Sequence, residues 1–448
     1  MIRTVLVANR GEIARRVFRA CRLLGLKTVA VYSEADREAP HVRDADEAVA
    51  IGGAPARESY LNADRILEAA GHAGADAIHP GYGFLSENWR FADAVERARI
   101  VFIGPRPEAI RKMGDKIEAR RLMAAAGVPV LPGSFEPVAD VGAAEAVARE
   151  VGFPVFLKAA AGGGGIGMAR VDKPADLASA FATATRRAQA AFGTAELYIE
   201  RCLERPRHVE VQVFGDGTGH VVHLHERECS IQRRHQKLVE ESPAPNLPGP
   251  SKAGLTAAAV AGARAIGYTN AGTMEFLLDE GGGFYFLEMN ARLQVEHPVT
   301  EEVTGLDLVV AQLRVAAGEP LPWRQSEVVQ HRAAIECRVY AEDPSKGFLP
   351  SPGTVQKLEL PSGEGIRIES GVEVGSTVSV HYDPLLLKLI AHGATRQRAV
   401  ERMADALDQC VVEGVRTTIP FLRRVIASGE FRGGRVHTQL LEQGAFNA

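Results

Sequence analysis

Cysteine is scarce: the 448 residues hold 5, at positions 21, 202, 229, 337 and 410, with no C-x-x-C pair and no disulfide-framework spacing. That excludes a disulfide-stapled scaffold and suits a reducing compartment. No apolar run approaches membrane-spanning length, and Met1-Ile-Arg-Thr4 leads into strand-like sequence without the basic and apolar regions of a signal peptide. A cytoplasmic location with no membrane association is therefore expected. Neither sign of charge dominates: 52 Lys and Arg against 56 Asp and Glu leave a formal net charge of −4, which argues against a nucleic-acid or membrane-surface binder. Internal repeats, long linkers and low-complexity tails are also missing. What remains, 46% hydrophobic and 24% charged, has the composition of a globular enzyme or binding protein with length for roughly three domains.

The most informative stretch runs from Gly283 through Glu288, Asn290, Arg292, Gln294 and Glu296 to Pro298. Strand alternation projects Glu288, Asn290 and Arg292 from one face. Upstream, Gly272 to Leu278 also reads as a strand, and Glu280-Gly-Gly-Gly283 lies between the two. A four-residue turn there pairs 279 with 284, and therefore Glu275 with Glu288. Two carboxylates placed opposite each other are unfavourable without a cation between them. Hard oxygen ligands, an amide and an arginine suit Mg²⁺ holding a polyphosphate.

The first ~110 residues alternate strand and helix patterns, as a parallel sheet requires. Thr4–Ala8 and Thr28–Tyr32 read as strands around a helix with Ile13, Val17 and Cys21 on one face. The turn Asn9-Arg10-Gly11-Glu12 has one glycine where a dinucleotide fingerprint needs three, so dinucleotide binding is not expected. Asp76–His79 opens into the loop Pro80–Asn88, and Val101–Pro105 closes the region. A single helical segment is expected from Glu108 to Ala126, carrying Lys116. The last ~115 residues read as α+β, with a strand over Ala333–Tyr340 and a helix over Arg396–Gln409.

After Lys158, the run Gly162–Gly165 and Gly167 formally matches G-x-G-x-x-G. Met168-Ala-Arg-Val171 continues as a strand, however, and no Lys-Ser or Lys-Thr pair follows, so neither a Rossmann turn nor a Walker loop fits. The run reads as a hairpin tip whose bare N–H groups can close over phosphate oxygens. Arg207–Val213 alternates, placing His208, Glu210 and Gln212 on a polar face, and a basic cluster follows through Arg234, His235 and Lys237. His220, His223, His225 and Cys229 match no zinc-ligand spacing and read as strand-face residues.

Seven motifs in order resemble those of biotin carboxylase, an ATP-grasp enzyme, over essentially the whole chain. They are Val7-Ala-Asn-Arg-Gly-Glu-Ile-Ala14, His79-Pro-Gly-Tyr-Gly-Phe-Leu-Ser-Glu-Asn88, Lys158 with its glycines, and Arg207-His-Val-Glu210. Glu228-Cys-Ser-Ile-Gln-Arg-Arg-His-Gln-Lys237, Glu288-x-Asn-x-Arg-x-Gln-Val-Glu-His-Pro298 and Glu336-Cys-Arg-x-x-Ala-Glu-Asp343 complete the set. The resemblance implies an α/β and α+β architecture in three parts. These are a Rossmann-like parallel-sheet domain over 1–113, a central ATP-grasp domain over 114–330 with its lid at about 130–203, and a C-terminal α+β domain over 331–446.

It also implies a reaction in which ATP and bicarbonate form carboxyphosphate, which carboxylates biotin tethered to another protein. By that resemblance Lys116, Lys158, Gly164 and Gly165 contact the ATP phosphates. Glu200, Arg201, Cys202 and Leu203 run along the adenine edge, with His208 and His235 near the nucleotide. Glu275, Glu288 and Asn290 would hold Mg²⁺ or Mn²⁺. Lys237, Arg292, Gln294 and the Val295 backbone would bind bicarbonate, Glu296 would be the base, and Arg338 would stabilise the biotin enolate. Two positions depart from the family pattern: Ile166 replaces a basic residue and Ala169 an arginine, with Arg170 one place later on the opposite strand face. Weaker ATP affinity or a different lid trigger is expected.

Other ATP-grasp ligases share the metal carboxylates and the glycine lid but lack the His-Gln-Lys237 and Gln294-Val-Glu-His-Pro298 combination. A non-catalytic nucleotide-binding subunit is disfavoured by the intact charged set. No Met-Lys-Met biotinylation tripeptide occurs. A biotin carboxyl carrier protein, together with a carboxyltransferase subunit, is therefore expected on other polypeptides, within an acetyl-CoA, acyl-CoA or pyruvate carboxylase system. The resemblance also implies a homodimer.

Overall fold

Five parallel strands form the first layer: β1 (Thr4–Val7), β2 (Lys27–Ser33), β3 (Glu47–Gly52), β4 (Ala77–His79) and β5 (Val101–Phe102), in the order β3-β2-β1-β4-β5. The computed structural model describes residues 2–160 and 168–446. The strands β1, β2 and β4 are covered on both faces, which is why they read as continuous apolar runs, whereas the edge strand β3 is largely exposed. Leu6 joins one core cluster while Val5 and Val7 join another. The helix Gly11–Leu23 buries Ile13, Val17 and Cys21, the face its spacing predicts.

Strand order reverses between β1 and β4, and such a switch point opens a crevice at the carboxyl ends of the strands. The loops carrying Asn9–Gly11 and Pro80–Asn88 meet there. Asn9 donates from its side-chain amide to the carbonyls of Pro80 at 2.8 Å and Tyr82 at 2.7 Å. Gly81, at φ +63°, allows that approach; a Cβ there would lie 2.7 Å from the Asn9 amide nitrogen.

The segment expected as one helix from 108 to 126 is two, Pro107–Gly114 and Lys116–Ala125. Asp115 breaks it: the side chain accepts from the N–H groups of Ile117 at 3.0 Å and Glu118 at 2.9 Å, capping a new helix. Lys116 is thereby placed at the first helical position.

A small antiparallel sheet follows, β6 (Val155–Ala159), β7 (Ala169–Val171) and β8 (Leu197–Arg201), ordered β7-β6-β8. The expected strands flanking the glycine run are therefore present as an antiparallel pair. The proposed contacts of Gly164 and Gly165, and the substitution at Ile166, lie outside the described residues. Arg170 pairs with Phe156, on the face shared by Lys158, while Ala169 pairs with Leu157 on the other.

The largest layer has eight antiparallel strands. They are β9 (Arg207–Gly215), β10 (Val221–Arg233), β11 (Gln236–Ser242), β12 (Asn270–Leu278), β13 (Phe284–Asn290), β14 (Ala333–Tyr340), β15 (Ile366–Ser370) and β16 (Leu385–Gly393). Their order is β13-β12-β9-β10-β11-β14-β16-β15. The boundary expected at 330 lies between β13 and β14, yet β11 pairs with β14, so one continuous sheet crosses it. β14 and the helix Arg396–Gln409 fall where the sequence pattern places them. Among the described residues, no helix is long and apolar enough to cross a membrane.

Candidate active site

Glu275 does face Glu288 across β12 and β13, by a different route from the one the turn suggests. The connection is five residues, Asp279–Gly283, and pairs Leu278 with Phe284. Asp279 closes it by donating its N–H to the Gly283 carbonyl at 2.9 Å and accepting the Gly283 N–H at 2.8 Å. An irregularity at Leu287 then shifts the register by one residue, bringing Glu275 opposite Glu288 and Thr273 opposite Asn290.

β13 ends at Asn290, and the chain turns through Arg292, Gln294 and Glu296 into the helix His297–Thr304. Arg292 still meets the strand residues, donating to Asn290 Oδ1 at 2.8 Å, and is fixed from the other side by Glu87 at 2.9 Å. Asn290 donates in turn to Glu275 at 2.8 Å.

Lys237, on β11, is the centre of the site. Its ammonium donates to Glu275 at 2.8 Å, Glu296 at 2.7 Å and Gln294 Oε1 at 3.1 Å, and also contacts Glu210. Arg338 on β14 reaches the other Glu296 oxygen at 2.9 Å and is paired with Glu240. Beneath them Arg227, fully buried, bonds Glu210 at 2.6 Å and Gln212 at 2.8 Å. Buried charges persist only when paired this closely.

Burial by itself would raise the Glu296 carboxyl, but Lys237, Arg338 and Arg227 together hold it below the usual carboxylate range. It is therefore ionised. Glu275 is likewise held low against burial, by Lys237 and His208, whose Nε2 lies 3.0 Å away. Burial pushes Glu240 up to about 7, aided by Glu296 and opposed by Arg338 and Lys237.

A cavity of about 1240 Å³ opens over these groups. Its lining also includes Lys116, Lys158, Glu200, Arg201, Leu203 and His235. Lys158 pairs with Glu200, which also accepts from Arg120 at 3.1 Å. Lys116 lies 3.7 Å from Glu288. Every described residue assigned to the site borders this cavity except Cys202. The Cys202 side chain is buried, with its thiol toward the Leu203 carbonyl at 3.5 Å, so only its backbone belongs to the segment along the cavity.

Glu275, Glu288 and Asn290 bring two carboxylates and a side-chain amide oxygen to one stretch of the strand pair, the donor type a hard divalent cation takes. Glu288, 36% exposed at its side chain, faces the cavity with its nearest ammonium 3.7 Å away. Glu87, Glu210 and Glu240 have no part assigned from sequence, although the first two lie inside quoted motifs. Their contribution is to orient Arg292, Lys237 and Arg338, and that is visible only once distant segments are brought together.

Family models match nearly the whole chain. Residues 115–324 match the carbamoyl-phosphate synthase L chain ATP-binding domain, and with the full-length relatives given below this makes the protein an ATP-dependent ligase of the ATP-grasp class. Residues 1–110 match the biotin carboxylase N-terminal domain and 336–443 its C-terminal domain. The chain belongs to the biotin carboxylase family.

It is 53% identical over 443 residues to biotin carboxylase 2 of Bacillus subtilis, covering 99% of this chain and 100% of that one. With biotin carboxylase of Haemophilus influenzae it shares 49% identity, over 99% of each chain. Among solved structures, it matches the biotin carboxylase domain dimer of Hydrogenobacter thermophilus 2-oxoglutarate carboxylase at TM-score 0.96 and 47% identity, covering 100% and 99% of the two chains. That structure is a complex with MgADP, ADP and bicarbonate. A biotin carboxylase from Campylobacter jejuni matches at TM-score 0.96 and 46% identity, covering 99% of each chain. The biotin carboxylase portion of a pyruvate carboxylase matches at TM-score 0.86 and 47% identity, covering 100% of each chain.

Proposed function

We propose that the chain uses ATP to activate bicarbonate and passes the carboxyl group to biotin carried on another polypeptide, with β12, β13 and the turn after them receiving both reactants. The observation that carries this reading is the reach of Lys237: one ammonium bonds Glu275, on the metal-type strand pair, and Glu296, on the turn beyond it.

In this reading Arg292, Gln294, Lys237 and the Val295 N–H hold bicarbonate, and Glu296 takes its proton. The freed oxygen attacks the γ-phosphoryl group, ADP departs, and carboxyphosphate forms. Its carboxyl then passes to the ureido nitrogen of biotin: the C–O bond to phosphate breaks, the departing phosphate takes the nitrogen's proton, and Arg338 stabilises the enolate-like oxygen. A positioned base contributes ~10²–10⁴-fold in such a step. Lys116, Lys158 and the backbone of Gly164 and Gly165 grip the ATP phosphates, and Glu200 to Leu203, His208 and His235 surround the rest of the nucleotide. Magnesium or manganese, when bound at Glu275, Glu288 and Asn290, supplies positive charge to the polyphosphate.

The division into 1–113, 114–330 and 331–446 remains part of this proposal, as do a homodimer, a cytoplasmic location, separate biotin carrier and carboxyltransferase chains, and service to an acyl-CoA or pyruvate carboxylase in fatty acid or related metabolism. Support comes from the family match and from the dimeric and pyruvate carboxylase relatives described above. The test is ATP hydrolysis by the purified chain, which should require bicarbonate and rise with free biotin. ATP binding without that hydrolysis would assign the chain a non-catalytic role.

A further inference from the structure

Lys388 is a fully buried lysine to which the reaction above gives no part. It sits in the middle of β16, directly opposite Arg338 on β14 and Glu369 on β15, so the three share one face of the sheet. Its ammonium donates to the Val295 carbonyl at 2.7 Å and lies 3.1 Å from Glu12, in the first helix of the chain. Glu12 also accepts the hydroxyl of Tyr82, from the loop after β4. Three distant segments thus meet in a chain of contacts, Tyr82 to Glu12 to Lys388, that ends on the Val295 carbonyl. The other charged or titratable groups around it are Glu369, held by Arg19 and Arg367, together with Arg338, Glu336 and His297.

The peptide so held is the one joining Val295 to Glu296. Its plane sets the direction in which the Glu296 side chain leaves the backbone, and it follows directly on the Val295 N–H. The neighbouring contacts hold other groups of the turn: Gln294 donates to Glu275 at 2.9 Å, the Gln294 carbonyl accepts from the His297 N–H at 3.3 Å, and Lys237 and Arg338 grip the Glu296 carboxylate, while Lys388 is the group that reaches the Val295 carbonyl. Stability is a poor reason for a charge at this place, because replacing a buried ion pair with well-packed apolar groups is often neutral or stabilising. A methionine would fill similar space. Only a donor can aim the carbonyl.

We propose that Lys388, held by Glu12, is a positioning residue that fixes the Val295–Glu296 peptide, and with it the bicarbonate-binding amide and the base. This rests on the reading that the 294–296 turn binds bicarbonate. A misplacement of about 1 Å can cost ~10²-fold in rate, so a held peptide plane is a sizeable lever.

The experiment uses the full chain and compares Lys388→Met, Glu12→Gln and the double variant, reading KM for bicarbonate, KM for ATP, kcat and Tm. Lys388→Met leaves Glu12 buried without its cation and should lower Tm. The double variant removes both charges and should recover Tm, while KM for bicarbonate rises ~10-fold or more, kcat falls, and KM for ATP stays within about twofold. Glu12→Gln keeps the Lys388 bond to Val295 and should remain much closer to wild type in KM for bicarbonate. A double variant with wild-type KM for bicarbonate and kcat overturns the proposal, since a merely structural ion pair would be rescued in every readout. Should the double variant fail to fold, Lys388→Arg decides: it keeps a cation beside Glu12 but cannot place a single ammonium on the carbonyl. Raised KM for bicarbonate at retained Tm then supports the assignment, and an unchanged value or loss of fold overturns it. Failure of the underlying reading is separate, because wild-type ATP hydrolysis would then be indifferent to bicarbonate and to Glu296→Ala.

Discussion

The Lys237 ammonium donates to Glu296 at 2.7 Å, and the same nitrogen donates to Glu275 at 2.8 Å. The base on the turn is therefore tied to the carboxylate of the strand pair through one atom. Both carboxyls are held in their ionised form by that shared cation despite burial. The geometry makes Lys237 a joint between two subsites, and removing it should disturb both.

Lys237→Met leaves Glu210, Glu275 and Glu296 without their common counter-ion. Breaking a buried pair by deleting one member typically costs ~3–5 kcal/mol, so urea unfolding should shift by an amount of that order. Carboxylation should be lost as well. A variant as stable as wild type would mean that these carboxyls take up protons rather than remain charged.

Glu87 holds Arg292 from the loop after β4 at 2.9 Å. Glu87→Ala removes a solvent-screened ion pair worth up to about 1 kcal/mol, which corresponds to up to ~5-fold if it is expressed fully in anion binding. KM for bicarbonate should rise accordingly, with KM for ATP little changed. Steady-state kinetics with each substrate varied in turn checks this.

Asp115→Ala deletes the cap of the helix that begins at Lys116 and should cost about 1 kcal/mol in stability. Because Lys116 is the first residue of that helix, KM for ATP should rise while KM for bicarbonate stays put. Denaturant midpoints and the two Michaelis constants measured together separate the effects.

Glu240 has a folded-state pKa of about 7 against 4.5 for the free side chain, chiefly through burial. A raised carboxyl favours the folded state fully below pH 4.5 and loses that contribution as pH rises through 7, because the unfolded chain ionises first. Glu240→Gln mimics the protonated form and does not titrate. The stability of wild type relative to the variant should therefore fall between about pH 4.5 and 7, by a few kcal/mol at most. Urea midpoints of both proteins at about pH 5 and 8 measure it; a gap independent of pH would contradict this account.

Much of the site was legible because strand alternation and charge placement are local. The Glu275–Glu288 pairing followed from counting across a turn. The count held only because an extra turn residue and the irregularity at Leu287 offset each other, neither of which alternation can show. The helix break at Asp115 was missed because helical spacing continues on both sides, and a capping aspartate resembles any other polar residue until its side chain folds back on Ile117 and Glu118. Glu87, Glu240 and Lys388 act through partners 205, 98 and 93 positions away in the chain. No periodicity reaches that far. The continuous sheet across residue 330 was hidden for the same reason, since the pairing of β11 with β14 is a tertiary fact.

MgATP affinity compared between Glu288→Gln and Glu296→Ala tests the central claim, that one strand and its turn hold the two reactants at separate ends. Glu288→Gln should bind MgATP more weakly than wild type. Glu296→Ala should bind it as wild type does and yet fail to carboxylate biotin. Equal losses of MgATP affinity in the two variants would contradict the division of labour.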